Sequence, residues 1–325
     1  GEQLNPAYRQ FTLGGELTPI GELSGAFLKP KSPRHIAFAY YESSLVVEHI
    51  IGEYGFPALT AILSDLGAGV AINEAIERHT VELVQLEQDF ERFARERAAS
   101  FAPGTDFSQP TLDAGGGTPE QRLRAFVQEH PNHYAAIKLY AELLLKVDRG
   151  AEAEPLLRKL MQLHPTATGD DSPALLLAGH LRKSGRTAEQ RELLQQVAER
   201  DATARAALVR LLELDRAAED WEALRRHARQ LRAIDPLTPH PHRALAEAAE
   251  RLDAAHEALQ PLRALLIVSP DDPADTHYRL ARLHRGQGEH ELAKRHVLQS
   301  LEAAPRYREA QRLLLELVDR PARGK

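Results

Sequence analysis

Apolar residues recur every three to four positions through most of residues 119–320, in stripes of about a dozen residues separated by short polar turns. That spacing puts the apolar side chains on one face of a helix. The intervening turns, such as KVDRGAEAE and RGQGEHE, are polar and contain glycine, which is typical of a helix end. The pattern therefore predicts a series of helix-turn-helix pairs.

Proline marks a regular period in the same region. It recurs 34 or 35 residues apart, with one double step of 71, at Pro131, Pro165, Pro236, Pro270 and Pro305. Small residues follow the same period, such as Ala141 and Ala153 in the first unit and Ala281 and Ala293 in the last. Small side chains let two helices approach closely, and a fixed period of this length indicates stacked repeats. We therefore expect an α-solenoid of about five helix-turn-helix repeats.

This pattern resembles the tetratricopeptide repeat (TPR) over about residues 119–320. The bulky residue that is usual at the fourth position of a repeat is replaced by Ile137, Ala174, His242 and His277. The resemblance implies a solenoid whose ends are covered by residues 122–130 and 307–318, because a stack of helix pairs must close off its last apolar faces. It also implies that a protein or peptide is the partner.

The first hundred residues carry a different apolar pattern, and they contain most of the aromatic side chains. Apolar residues between positions 45 and 54 follow a helical period, and Gly55 with Pro57 predicts the end of that helix. Further helices are expected over residues 57–66, after Ala71 and around residues 83–93, so the predicted fold class is all-α. Residues 103–118 are rich in Gly and Pro and predict a linker, which gives domains at 1–102 and 119–320.

The stretches AYYESSLVVEHIIGEYG, GAGVAINEAI and LEQDFERFARE resemble the C-terminal helical half of peptidase MA-like (gluzincin) zinc metallopeptidases, over about residues 20–100. The resemblance implies that Tyr41 would donate its hydroxyl to an oxyanion, next to a zinc held by an HExxH helix and a further Glu. No HExxH occurs in this chain. We therefore expect no cofactor in this chain, and zinc only in a longer parent whose HExxH half lies upstream of Gly1. The structural alternative for Tyr41 is a core residue.

The register of the repeats places a basic set of side chains on the first helix of each pair, at the positions that line the inner groove. These are Lys138, Lys146, Arg182, Lys183, Arg216, Arg243, Arg251, Tyr278, Arg282 and Arg285, with Tyr278 as the aromatic member. A basic groove favours an acidic or C-terminal peptide segment, held by charge-assisted hydrogen bonds. The alternative is a solvated face of mixed sign.

Composition narrows the partners further. The formal net charge is −6 and the sequence pI is about 6.2, so the chain as a whole has no positive field for a polyanion, and we expect no nucleic-acid partner. Cysteine is absent, which removes thiolate metal sites and thiol nucleophiles. No run of apolar residues is long enough for a membrane span.

The remaining candidate residues receive structural interpretations. Glu42 and Glu48 are expected to be solvated helix charges, and His49 a core or boundary residue. The histidines of the last third, such as His277 and His284, are expected to pack or face solvent, so no metal ligands are predicted. The predicted function is a peptide-binding TPR scaffold attached to a catalytically incomplete metallopeptidase-like domain, and the alternative is the C-terminal portion of a bacterial zinc metallopeptidase. Enzymatic activity is left open, and the family resemblance implies export to the periplasm.

Overall fold

In the computed structural model, which describes residues 4–112, 117–269 and 271–318, the regular structure is helical. These ranges contain no β-strand and one isolated parallel bridge, between Asp106 and His133. The predicted all-α class is confirmed. The chain divides into two compact units, which we call the N-terminal unit (Gly1–Leu143 with Gln162–Pro165) and the C-terminal unit (Leu144–Met161 with Thr166–Lys325). The predicted limits 1–102, 103–118 and 119–320 stay a prediction.

The N-terminal unit begins with α1 (Pro6–Leu13), a 3-10 turn (Ile20–Glu22), α2 (Leu23–Leu28), α3 (Pro33–Gly67), α4 (Ile72–His79), α5 (Leu83–Ser100) and α6 (Pro119–Glu129). Its core is aromatic, since Tyr8 stacks on Tyr41 with ring centroids 5.0 Å apart, and Phe38 lies 5.7 Å from Tyr8. Leu86 and Phe90 of α5 belong to the same buried cluster. Large flat rings bury much area each, which explains how short helices can share one core.

Helix α3 breaks at the predicted place. Gly55 has φ +79° and ψ 164°, which is outside the helical region, and Pro57 follows within the next turn. A left-handed φ costs little only for glycine, and proline lacks the N–H that would continue the helical hydrogen bonds. The chain therefore changes direction at Gly55 and resumes a second helical segment that ends at Gly67.

The first part of the predicted linker is held within the N-terminal unit. The backbone N–H of Asp106 donates to the carbonyl of Asn132 at 3.0 Å, and the N–H of Tyr134 donates to the carbonyl of Asp106 at 2.8 Å. The Phe107 ring packs 5.2 Å from the Tyr134 ring. Residues 105–108 are thus held by hydrogen bonds and a ring contact. Residues 113–116 of the predicted linker lie outside the described residues.

The repeats follow in chain order as pairs of helices. They are α7 (Tyr134–Lys146) and α8 (Gly150–Leu163), α9 (Pro173–Lys183) and α10 (Thr187–Arg200), α11 (Arg205–Ala217) and α12 (Trp221–Ile234), α13 (Pro239–Arg251) and α14 (Ala255–Val268), and α15 (Pro273–Gly286) and α16 (His290–Ala303), followed by α17 (Arg308–Val318). We call the first helix of each pair an A helix and the second a B helix; α17 continues the A series. The prediction of about five repeats is confirmed.

The turn inside each pair repeats the same backbone conformation. One residue in every turn has a left-handed φ, between +53° and +79°, and these residues are Asp148, Gly185, Glu219, Asp253 and Gly288. They are spaced 34 to 37 residues apart, like the prolines. Only two of them are glycine, so the stacking of the two helices imposes a conformation that other residues adopt at a cost.

Small buried residues let the helices of the C-terminal unit approach closely. Ala246, Ala258, Ala281 and Ala293 are all fully buried. The apolar cluster around Ala246 joins α13, α14 and α15, and a further cluster joins α15 and α16 to Leu313 of α17. Helix α17 therefore covers the last pair, as the tetratricopeptide resemblance implies for residues 307–318.

Candidate functional site

Successive A helices are neighbours along one face of the C-terminal unit. Arg216 of α11 contacts Glu247 of α13 with 2.7 Å between Nε and Oε2, and Arg279 of α15 contacts Glu250 of α13 with 2.9 Å between Nε and Oε1. A further ion pair joins α15 to α17. These side-chain contacts link α11, α13, α15 and α17 in turn. We call the surface that the A helices of the repeats present, α7 and α9 included, the A-helix face.

The B helices form a separate row. Arg186, which directly precedes α10, contacts Glu154 of α8 with 2.6 Å between Nη1 and Oε2, and Arg225 of α12 contacts Glu257 of α14 at 3.3 Å. Hydrogen bonds from Arg186 and Arg158 lower the pKa of Glu154 to about 2. The charged side chains of this row are therefore used to hold one repeat to the next.

Part of the predicted groove set is also engaged within the C-terminal unit. These residues are Arg216, Arg243, Arg251 and Arg285. Arg251 lies over the Trp221 ring at 4.9 Å, a cation–π contact, and Nη2 of Arg243 donates to Oγ of Ser269 at 2.8 Å. In the N-terminal unit, Nζ of Lys138 is 3.9 Å from Oε1 of Glu142. These cations are partly neutralised or held in place by their neighbours.

Three members of the predicted set have open side chains. Lys146 at the end of α7 and Arg182 and Lys183 at the end of α9 are exposed. Within the described ranges, no hydrogen-bond acceptor or carboxylate contacts any of the three side chains. Each lies in the last turn of its A helix, where a cation is favoured by the helix dipole. Whether they bind a ligand stays a prediction.

The C-terminal end of the A-helix face carries an aromatic group. The Tyr278 and Tyr307 rings lie 5.1 Å apart, and the guanidinium of Arg282 is 5.9 Å from the Tyr278 ring. The Tyr307 hydroxyl donates to Oδ1 of Asp275 at 3.2 Å, and burial together with that carboxylate raises the pKa of Tyr307. A cavity of about 730 Å³ opens beside Asp275 and Tyr307. The sequence pattern identified Tyr278 and Arg282 but not Tyr307.

The histidines of the last repeat form a packed group between α15 and α16. Nδ1 of His277 is 3.1 Å from Nδ1 of His296, and the His284 and His296 rings stack with centroids 5.4 Å apart. Nδ1 of His284 is 2.5 Å from Oε2 of Glu289. Burial is the main cause that lowers the pKa of His296 to about 4, and it also lowers the pKa of His277. The expectation that these histidines pack is confirmed.

Tyr41 lies in the core of the N-terminal unit. Its side chain is 4% exposed, it stacks on Tyr8, and burial raises its pKa. Tyr40, one residue earlier, is 60% exposed. The role of Tyr41 as an oxyanion donor stays a prediction for a longer parent. In the described part of the chain, no group of three or more His, Cys, Asp or Glu side chains is placed to hold a metal ion.

Two expectations for single residues in α3 have opposite outcomes. His49 is buried with its ring 5.0 Å from the Phe93 ring, so the prediction of a core histidine is confirmed. Glu48 is exposed and pairs with Arg97, but Glu42 is fully buried, so the interpretation of Glu42 as a solvated charge is wrong. The α1–α2 loop folds back over Glu42, and no periodicity in α3 reveals that loop.

A buried charge cluster in the C-terminal unit was also missed. Asp215 of α11 is fully buried, with Oδ1 2.5 Å from Nη1 of Arg191 and Oδ2 2.7 Å from Nδ1 of His227. The three side chains come from three consecutive helices. A buried ion is tolerated only with such partners, so this cluster fixes how the helices stack. The residues are far apart in sequence, and each one reads as an ordinary helix surface residue.

No protein-family model matches the chain, and no curated protein matches it. Among solved structures, one similar chain is YrrB, described as a TPR protein with an unusual peptide-binding site, at 12% identity and a TM-score of 0.46 over 59% of this chain and 97% of that chain. MamA 41-end from Desulfovibrio magneticus RS-1 is 14% identical with a TM-score of 0.39, over 52% of this chain and 93% of that chain. The P58(IPK) TPR domain is 17% identical with a TM-score of 0.34, over 61% of this chain and 58% of that chain. Likenesses at these identities concern the helical fold alone, and the fold rests on the helix order and contacts described above.

Within the described ranges, every helix is too short or too polar to cross a bilayer.

Proposed function

We propose that the repeats bind a segment of another protein on the A-helix face, and that the segment is acidic. The observation that carries the proposal is the set of open cations at the ends of the first two A helices, Lys146, Arg182 and Lys183. Most other basic side chains of the predicted groove set have partners within their own unit. Open cations are available for charge-assisted hydrogen bonds to carboxylates.

The surface around these cations has room for a ligand. A Cβ built onto Gly179 of α9 would meet nothing within 4 Å, and Gly179 lies one turn before Arg182 on the same helix. Residues three or four positions apart are neighbours on a helix surface. The backbone of α9 is thus approachable next to the charges, as a peptide ligand requires.

The aromatic group at the C-terminal end of the A-helix face supports a second contact with the bound segment. Tyr307 lines the cavity beside Asp275, the Tyr278 ring packs 5.1 Å from the Tyr307 ring, and Arg282 lies over the Tyr278 ring. Tyrosine and arginine are among the side chains enriched at the residues that dominate protein interfaces. We propose that this end contacts apolar side chains of the same bound segment.

The test compares two charge reversals in the full chain. Arg182→Glu is expected to weaken binding of a fluorescently labelled peptide rich in Asp and Glu, with a free C-terminal carboxylate, by about tenfold. Arg200→Glu makes the same charge change at the exposed end of a B helix, α10, and is expected to leave the affinity within about twofold. Fluorescence polarisation at two salt concentrations measures both.

Three outcomes would overturn the proposal. They are equal weakening by the two variants, no binding of the acidic peptide to the unchanged chain, and equally tight binding of a Lys-rich peptide of the same length. Equal weakening would mean that net charge and not the A-helix face attracts the peptide, since distant charges act weakly at physiological salt.

We also propose that residues 20–100 correspond to the helical half of a gluzincin domain, with domain limits near 1–102, 103–118 and 119–320. What supports it is the order of helices and the break at Gly55, which the same stretches of sequence lead one to expect. The described residues do not fit a zinc site, so no catalytic step is assigned to this chain. Zinc and the periplasmic location belong to the proposal for a longer parent.

Tyr41 provides the test of that second proposal. If a longer parent with an HExxH helix exists, Tyr41→Phe is expected to lower turnover about 100-fold or more with unchanged zinc content, as loss of one oxyanion donor does. Unchanged turnover would mean that Tyr41 acts only through its stack on Tyr8. The exposed Tyr40→Phe is the matched control, because it makes the same chemical change outside the core.

A further inference from the structure

A second cavity lies in the N-terminal unit, away from the repeats. It has a volume of about 500 Å³ and is enclosed by the α1–α2 loop, helix α2 and the first turns of α3. The residues that matter for its chemistry are Glu16, Thr18, Lys29, His35, Phe38 and Glu42. Cavities of this size accommodate small organic molecules.

Glu42 is the unusual group in this cavity. The whole residue is fully buried, and the backbone N–H of Thr18 donates to Oε1 at 2.5 Å. Within the described ranges, no donor lies within hydrogen-bond distance of Oε2. Burial raises the pKa of Glu42 to about 7, although the bonds from Thr18 oppose that shift. A buried carboxyl oxygen without a donor is costly, so this atom calls for an explanation.

Other ionisable side chains that line this cavity already have partners of their own. Oε2 of Glu16 is 3.0 Å from Nε2 of His35 and 3.7 Å from Nζ of Lys31. The other ring nitrogen of His35, Nδ1, is 2.8 Å from Oγ of Ser32. Lys29 also lines the cavity, and this residue is exposed. Glu16 therefore has a lysine and a histidine beside it, whereas no Lys, Arg or His of the described part of the chain pairs with Glu42.

We propose that this cavity binds a primary ammonium group. Oε2 of Glu42 is closed to solvent in this structure, so on binding the carboxyl group turns towards the cavity and Oε2 accepts a hydrogen bond from the ammonium group. An ammonium group offers three donors and one positive charge, which supplies the missing hydrogen bond and neutralises the buried carboxylate at the same time. The partly exposed Ala26 and Pro30 line the same cavity and provide apolar surface for the carbon chain of the ligand. The ammonium group comes from a small amine or from the N-terminus of a peptide.

The first experiment titrates the full chain with n-butylammonium, and with n-butanol and butyrate as probes of similar size. The Thr18 amide signal in a nitrogen–proton correlation spectrum reports on the site, because that N–H donates to Glu42. We expect butylammonium to shift this signal and the two other probes to leave it unchanged. Butanol acting as well as butylammonium would overturn the proposal, since a neutral donor would then suffice.

The pH dependence gives a second, independent readout. The titratable groups that share the cavity are Glu16, Glu22, Lys29, Lys31 and His35. If the ionised form of Glu42 is the binding form, a midpoint near 7 makes the affinity for butylammonium about tenfold higher at pH 8 than at pH 6. Equal affinity at the two pH values would overturn the proposal.

Two matched variants locate the effect. Glu42→Gln keeps an oxygen acceptor for the Thr18 N–H and removes the charge, so it should abolish butylammonium binding. Glu48→Gln makes the same change at an exposed position of α3 and should keep the wild-type affinity. Thermal unfolding by circular dichroism checks that Glu42→Gln folds; if it does not, the comparison of the probes in the unchanged chain still decides.

A final comparison separates the two sources of the ammonium group. A tripeptide of alanine with a free N-terminus is compared with its N-acetylated form in the same titration. Tighter binding of the free tripeptide than of butylammonium assigns the site to peptide N-termini, and the reverse order assigns it to small amines. No shift of the Thr18 signal by any amine at tens of millimolar overturns the proposal. None of these results depends on the A-helix face, so the two proposals fail separately.

Discussion

Gly150, the first residue of α8, is expected to be essential for the packing of α9 against α8. A Cβ built onto Gly150, at the start of α8, would lie 2.1 Å from Nδ1 and 2.4 Å from Cε1 of His180 in α9. Both distances are far below van der Waals contact. The His180 side chain is only 12% exposed, and its Nε2 is 3.6 Å from Oε2 of Glu154. The ring cannot stay in place if Gly150 becomes alanine.

The magnitude follows from two opposing effects. Overpacking of a closely packed contact costs about 1–3 kcal/mol. Alanine gains up to about 1 kcal/mol over glycine inside a helix, and less at the first helical residue, where Gly150 lies. We therefore expect Gly150→Ala to lower the free energy of unfolding by about 1–2 kcal/mol. Gly179→Ala is the matched control, because its Cβ meets nothing within 4 Å, and it should raise that free energy by about 0.5–1 kcal/mol.

Thermal unfolding followed by circular dichroism measures the difference between the two variants. A difference of about 1.5–3 kcal/mol corresponds to roughly 3–12 °C in Tm for a unit of this size. The double variant Gly150→Ala with His180→Ala should recover most of the loss, because removing the ring removes the clash. Equal Tm values for Gly150→Ala and Gly179→Ala would refute the reasoning, since the ring would then have another place to go.

Three further predictions concern the C-terminal unit. The free energy of unfolding should fall as the pH drops from about 6.5 towards 4, because the pKa of His296 is lowered to about 4 in the folded chain and the unfolded chain binds the proton more readily. The loss is at most about 3 kcal/mol before solvent screening is counted. Urea unfolding at several pH values measures it. Asp215→Asn leaves Arg191 and His227 without their buried anion and should cost about 3 kcal/mol in the same assay, so a cost below about 1 would contradict a buried ion cluster. Glu219→Gly should raise the unfolding free energy by about 0.5 kcal/mol, because glycine adopts the left-handed φ without strain, and a loss of stability would contradict that account.

The period of the chain predicted the repeats because it reflects a local requirement that every repeat must meet. Each helix pair needs a small residue at the close contact and a break between its helices, and both leave marks in the sequence, as at Ala246 and Gly288. The fold class and the number of repeats follow from these marks. Gly55 and Pro57 predicted the break in α3 in the same way, because glycine adopts a positive φ easily and proline interrupts helical hydrogen bonding.

The chemistry inside the units could not be predicted in the same way. Glu42 looks like any exposed glutamate on an amphipathic helix, and it is buried only because residues of the α1–α2 loop fold over it. Asp215 needs two partners from neighbouring helices to be stable in the core, and their sequence separations carry no signal. Burial of a charge is a property of tertiary contacts, and no periodicity encodes it.

The pairing of charges decides which part of the A-helix face is able to attract a ligand. Arg216 and Arg285 contribute little free positive potential, because each is close to a carboxylate of the next A helix. Exposed ion pairs of this kind add little to stability, about 0–1 kcal/mol, yet they cancel the charge that an acidic peptide would feel. The open cations Arg182 and Lys183 keep their full charge. A simple count of basic residues therefore overestimates the length of the attractive surface, and the α9 end of the A-helix face is where an acidic segment should first engage.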